Sequence, residues 1–353
     1  MLKDLKKVEL EITSDCNAAC PGCARTINID TLVVNSFSLQ DLQRLFPVDD
    51  YSGVEFKFCG VLGDPIVNPD CLEMTRYLIS CGGYVEYSTN GGYNTVEWWK
   101  ELGSISAENP GKLRVHFCVD GHKETNHIYR VNTKWNVVKR NMEAFANTAA
   151  KKSAGWIYIV FDHNEHELET ARKHADSLGF DFAIRTGMRN SYHDWLVKLG
   201  KKNKQAEKTI TTTGKKQHSK VDVVKELDNF IEEYKRTKVD EEKISTITNS
   251  ITCKYIHEGE IFIANDLTLW PCCFLWDNTF ENKDKILEKL STQGDGWNSL
   301  KDKSIDEVLE HPWYKKLLAE SWHPYNDLHL PRCIKTCAKN KAYHNEIQVE
   351  YNK

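Results

Sequence analysis

The feature that most narrows the choice of fold is a repeated alternation of short β-type runs and helical stretches over the first half of the chain. Val8–Thr13, Val54–Cys59, Tyr84–Thr89, Leu113–Val119, Trp156–Phe161 and Phe180–Ile184 read as strands. Helical character follows near Leu39–Phe46, Cys71–Cys81, Val96–Leu102, Trp135–Ala149 and Glu165–Leu178. Strand then helix, repeated, describes parallel β/α units. In sheets and barrels of that kind the chemistry gathers at the carboxyl ends of the strands, so the residues just past each strand are the candidates for function.

With 353 residues, the chain is long enough for two domains, each with its own core. A formal net charge of −4 gives no reason to expect nucleic acid as the main partner. No charged-then-apolar leader opens the sequence, and no run approaches the roughly 18 apolar residues that would span a bilayer. A soluble, cytoplasmic protein with no membrane partner is expected. Twelve cysteines in such a chain point to reduced thiols that bind metal or carry out redox chemistry rather than to disulfides.

From about Thr186 to Ser250 the alternation gives way to a stretch rich in Lys, Thr and Gln, read as a linker or insertion with one helix over Val221–Arg236. Cys253 opens a further unit. There GEIFIANDLTLWPCC reads as a hairpin turning at Asn265-Asp266, and Ser304–Glu320 as a helix capped by Ser304 with Glu307 at the capping-box position. The expected domains are 1–185, 186–250 and 251–353.

Cys16, Cys20 and Cys23 stand in a CxxxCxxC pattern directly after the first strand. Three thiolates on one loop can hold three irons of a cubane and leave the fourth open to an outside ligand. A structural zinc would want four protein ligands, and no fourth Cys or His lies nearby in sequence. From spacing alone, a zinc loop and a purely electron-transferring cluster stay open beside a catalytic cluster. Placed after strand one of a β/α chain, the motif resembles the radical S-adenosylmethionine (SAM) superfamily. That resemblance implies a partial (β/α)6 TIM-type barrel over roughly Lys7 to Arg185, with a [4Fe–4S] cluster on Cys16, Cys20 and Cys23. It implies that SAM chelates the open iron and that one electron, from a donor such as flavodoxin or ferredoxin, cleaves it. The resulting 5′-deoxyadenosyl radical would abstract a substrate hydrogen. Gly22 stands where the family often has an aromatic residue against the adenine.

Four strand ends agree with this resemblance. Cys59-Gly60-Val61-Leu62-Gly63-Asp64-Pro65 is similar to the family's GGE-type motif, with aspartate for glutamate, and implies that Gly60, Gly63, Asp64 and Pro65 shape the site for the SAM ammonium group. On its own it is also an ordinary Gly/Pro turn. Ser88, Thr89 and Asn90 end strand three in the manner of the family's TNG segment. Asp120, after strand four, suits ribose hydroxyls, although Asp120-Gly121 equally forms a turn. Arg130 fits the family's spacing for an arginine that meets the SAM carboxylate, and reads otherwise as a surface charge. Cys59, Cys71 and Cys81 read as small buried hydrophobes. Cys118 and His116 share strand parity with Asp120, which points both toward the barrel interior or into the core.

A second group comprises Cys253, Cys272 with Cys273 beside it, and Cys333 and Cys337 in a CxxxC. Four thiolates suit a structural zinc or an iron–sulfur cluster. With the hairpin and the helix before the last pair, the group resembles the twitch domain, a short form of the SPASM domain that follows radical SAM barrels. The resemblance implies one auxiliary [4Fe–4S] cluster on Cys253, Cys272, Cys333 and Cys337. Cys273 stands as a replacement for Cys272 or as a free thiol. The function implied is oxidation or other C–H modification of a small molecule, such as a sugar-like alcohol, or of a peptide, with the auxiliary cluster as electron acceptor. An epimerase that returns hydrogen from Cys273 or Cys118 is the alternative within enzymes, and a non-catalytic zinc or iron–sulfur structural protein the alternative outside them. The tryptophans of the second unit read as core.

Overall fold

The computed structural model describes residues 4–185, 241–280 and 285–338. They fall into two compact units, one formed by residues 7–185 and the other by residues 4–6 with those from 241 onward. The helix expected over Val221–Arg236 lies outside the described residues. The helix Glu241–Thr248, inside the stretch read as linker, belongs to the second unit.

The first unit holds six parallel strands: β1 (Lys7–Leu10), β2 (Glu55–Phe58), β3 (Tyr84–Thr89), β4 (Leu113–Cys118), β5 (Ala154–Ile159) and β6 (Asp181–Arg185). Each pairs with its successor, so strand order follows chain order, as in a TIM-type barrel stopped after six units. The crossovers are α1 (Ala24–Ile27), α2 (Leu39–Leu45), α3 (Cys71–Ser80), α4 (Val96–Glu108), α5 (Asn126–Tyr129), α6 (Trp135–Ala146) and α7 (Leu168–Ser177). Ser38 starts α2 with a capping box to Asp41. Helices α3, α4 and α7 pack on β3, β4 and β6. The face beneath them is apolar, with Phe56, Phe58, Tyr87, Phe117 and Trp156 fully buried.

Parallel strands usually read as continuous apolar runs because both faces of the sheet are dry. Here β1 to β4 alternate, and their second face carries charge. Lys7 pairs with Glu55. Lys57 lies 3.5 Å from Glu9 and 3.9 Å from Glu86, and His116 Nε2 lies 3.3 Å from Glu86. Burial alone would raise the Glu86 carboxyl, but the His116 hydrogen bond and the nearby lysines bring it down to about 2. Arg114 reaches across β5 to Asp181, passing over Gly155, where a Cβ would stand 3.4 Å from the guanidinium.

In the second unit β7 (Glu260–Ile263) and β8 (Leu269–Trp270) form the expected antiparallel hairpin. The turn is longer than Asn265-Asp266 alone: Ala264 and Thr268 close it, and Leu267 takes the left-handed conformation at φ 63°. The helix expected over Ser304–Glu320 is broken. It runs over Ile305–Leu309 from the Ser304–Glu307 capping box, stops before Pro312, and resumes through a widened turn at Trp313–Leu317 into Leu318–Glu320. Proline lacks the amide proton a continuous helix needs, and it disfavours helical backbone at the residue before it. Among the described residues no helix is long and apolar enough to cross a membrane.

Candidate functional site

Beyond β1 the chain turns through Thr13, which bridges to Ser36, into the cysteine loop. Asp15 Oδ1 accepts from the Cys16 amide at 2.8 Å and from Arg25 at 3.0 Å, and Cys23 occupies the N-cap of α1. Cys20 is buried in an apolar floor with Ala18, Tyr129, Ile159 and Phe161, and half-buried Cys16 and Cys23 pack against the same floor. The three thiols are thus gathered at one place. Burial raises the Cys16 thiol, and Asp64, Cys20 and Cys23 add to the effect. N–H donors are directed at the sulfurs: Ala18 N to Cys16 Sγ at 3.4 Å, Asn90 Nδ2 to Cys16 Sγ at 3.6 Å, and Arg130 Nη1 toward Cys20 Sγ at 3.9 Å. Such donors suit thiolates that ligate iron.

The turn after β2 is fixed to this loop. Asp64 N donates to Asp15 O at 2.8 Å, and Cys23 Sγ lies 3.6 Å from Val61 O. The glycines serve that contact: a Cβ on Gly63 would stand 1.9 Å from Thr13 O, and one on Gly60 would stand 1.5 Å from Gly63 O. Glu11, fully buried and passed over in the sequence, accepts from Leu62 N at 2.6 Å and from Gly63 N at 3.4 Å. The available signal was a second carboxylate, after Glu9, at a strand end that must lie inside.

Asp64 is buried. Its carboxylate caps the turn at Pro65–Val67 and accepts from Asn90 N at 2.7 Å, which ties β2 to β3. Burial raises its carboxyl, and the bonds from Asn90, Thr89 and Ile66 offset part of that rise. Asn90 Nδ2 also reaches Asn17 Oδ1 at 3.0 Å, and Thr89 Oγ1 accepts from Gly91 N. Ser88 is half-buried on the charged face of β3. Asp120 is fully buried with both oxygens engaged: Arg130 Nε donates to one at 2.7 Å and Ile159 N to the other at 2.8 Å. In this structure Asp120 therefore holds Arg130, which lies beside the cysteines and is no loose surface charge.

Cys71 and Cys81 are buried, and Cys71 Sγ bonds the Tyr87 hydroxyl. Cys59 and Cys118 are half-buried at the ends of β2 and β4, and burial raises both thiols. Cys118 follows His116 on the charged face.

In the second unit, Cys253, Cys272, Cys333 and Cys337 line one recess, together with Lys254, Phe274, Trp322 and Arg332; Cys273 is not part of that lining. Cys333 and Cys337 sit one turn apart on the helix Pro331–Cys337. Burial pushes Cys272 up to about 12 and Cys337 up to about 11, with the neighbouring thiols contributing. Four thiols around a recess, with two cations at its wall, suit an anionic thiolate cluster. Among the described residues no three His, Cys, Asp or Glu side chains converge tightly enough to form a single-ion site. Trp313, fully buried, packs on Trp297 at 4.8 Å and belongs to the core.

No family model matches the chain. A tungsten-containing aldehyde ferredoxin oxidoreductase cofactor-modifying protein of Pyrococcus furiosus is 29% identical over 116 residues, which is 33% of this chain and 31% of that protein. Streptococcus suis SuiB bound to precursor peptide SuiA superposes with a TM-score of 0.55 at 11% identity, covering 89% of this chain and 66% of SuiB. SuiB bound to S-adenosylmethionine gives 0.50 at 11% identity, covering 84% and 66%. The chain thus spans just under two thirds of SuiB and about a third of the Pyrococcus protein. At this identity the likeness establishes the fold, and that fold is the one the resemblance to radical SAM enzymes implied.

Proposed function

We propose that the chain is a radical SAM enzyme, with Cys16, Cys20 and Cys23 as ligands of the cluster that SAM completes. The observation that carries this reading is the joining of strand ends around one set of thiols, in which Asn90 and Arg130 each contact both a cysteine sulfur and a buried carboxylate. When bound, the cluster and SAM supply one-electron cleavage of a sulfonium and hydrogen abstraction from a C–H bond.

The chain's own residues do the positioning. Arg130, oriented by Asp120, presents guanidinium N–H groups suited to a carboxylate such as that of SAM. Asn90 and Ala18 donate toward Cys16, and the floor of Ala18, Tyr129 and Phe161 keeps water from the thiols. The charged face of the sheet suits a polar substrate. A second [4Fe–4S] cluster on Cys253, Cys272, Cys333 and Cys337 would accept the substrate's electron, making the net reaction an oxidation. The precursor-peptide complex of SuiB makes a peptide the first substrate class to test, and a small alcohol the second.

Epimerisation is the second reading. It is favoured by Cys118, whose burial keeps the thiol protonated, the form that can return a hydrogen atom. Replacing Cys118 with alanine should then abolish product while 5′-deoxyadenosine still forms.

The deciding assay is 5′-deoxyadenosine production by anaerobically reconstituted protein with SAM and dithionite, in wild type and in a Cys16/Cys20/Cys23 triple alanine variant. Cleavage by wild type alone is expected. Bound zinc with no cleavage would overturn the reading and leave both thiol groups structural.

A further inference from the structure

Trp322 is the residue of the second recess whose chemistry the reading above leaves unused. Trp322 is 9% exposed, and its indole Nε1 has no hydrogen-bond partner in this structure. An indole N–H can only donate, and a buried donor without an acceptor is costly enough that native proteins rarely keep one. The acceptors at hand are sulfurs: Trp322 lines the recess with Cys253, Cys272, Cys333 and Cys337.

The local backbone locks Trp322 and Cys333 together. Leu330 N donates to Ser321 O at 2.9 Å, beside Trp322, and Cys333 N donates to Leu330 O at 3.1 Å, at the start of the cysteine-bearing helix. His257 stacks on the indole at 6.2 Å and holds its plane.

We infer that, when the second cysteine set holds a cluster, Trp322 donates its N–H to the Cys333 sulfur and thereby raises the cluster's reduction potential. This rests on the proposal that the set holds an iron–sulfur cluster. Four thiolates give such a site a net negative charge that grows by one on reduction, so a donor aimed at a ligating sulfur favours the reduced form. Trp322 is on this account a positioning residue that sets how readily the site accepts an electron. Lys254 and Arg332, also in the lining, remain in place when Trp322 is changed.

The test compares Trp322→Phe with its parent in the full chain, both carrying Cys16→Ala, Cys20→Ala and Cys23→Ala so that only the second site loads. Phenylalanine keeps the ring against His257 and removes the donor. After anaerobic reconstitution, metal analysis is followed by an EPR-monitored redox titration. With about four irons in each, the proposal expects the variant's midpoint to move negative by about 59 mV, a roughly tenfold lower reduced-to-oxidised ratio at fixed potential. Equal midpoints at equal iron content overturn it. Zinc or no metal in the parent overturns the cluster reading, and the proposal with it, and iron content separates that failure from the first. If the variant does not load, the parent labelled with ¹⁵N-indole tryptophan decides: a nitrogen coupling to the reduced cluster supports the bond, and no coupling overturns it.

Discussion

Asp120 has no exposed surface and Arg130 satisfies one of its oxygens, so removing the arginine strands a charge in the interior. Arg130→Ala is expected to cost about 3–5 kcal/mol, the usual penalty for breaking a buried pair from one side, read as a lower urea midpoint. An unchanged midpoint would mean that water reaches Asp120. Gly63→Ala is expected to lower iron loading several-fold while far-UV circular dichroism stays native, because the new methyl would push the turn after β2 away from Thr13 and the cysteine loop. Full loading in that variant would show that the contact is dispensable. The cysteine spacings were legible because they are local patterns with few chemical interpretations. Glu11 was not, since its partners Leu62 and Gly63 lie 51 and 52 positions away and only the sheet brings them together. Likewise, a carboxylate and an arginine ten positions apart gave no sign that each would occupy the other.

At the scale of elements, the six strands were readable to within two or three residues at each end, because β-type runs bounded by turn residues survive in any context. The second unit was less legible where one residue overrides a periodic pattern: Pro312 divides a segment whose amphipathic pattern is otherwise continuous. One contact between elements makes a pH prediction. His122, after β4, and His174, on α7, stack with ring nitrogens 3.5 Å apart, against Trp135 and Trp156. Burial lowers both imidazoles. Glu167 offsets part of this at His122, which His174 lowers further, while Lys139 and Glu143 act in opposite senses on His174. The unfolded chain therefore takes up protons at the ordinary value of 6.5 that the folded one still refuses. The pair's contribution is complete above that pH and is lost as pH falls below it. Thermal midpoints should drop between roughly pH 7.5 and 5.5, and His174→Gln should flatten the slope. Parallel slopes would remove the pair from the account.

For the molecule as a whole, each compact unit carries its own thiol set. Loading is expected to be additive: about eight irons in wild type, about four when Cys16, Cys20 and Cys23 are alanine, and about four when Cys333 and Cys337 are. Loss of all iron from either variant would mean that one site is built only when the other is filled. Fold class and the division of the cysteines could be read from the sequence, because both follow from order along the chain. The substrate could not, because the surface proposed for it is assembled from alternate residues of several strands, and its character appears only once they are in register.

That surface has a further consequence. Along β1 to β4, and over Gly155 to Asp181 of β6, basic side chains stand against carboxylates of other strands, so the face is wettable without any guest. A cavity walled with leucine and phenylalanine would have to collapse or stick to another protein whenever it stood vacant. A face of paired ions can stay in contact with solvent. The first unit is thereby expected to fold without a guest, and whatever it binds can arrive afterwards.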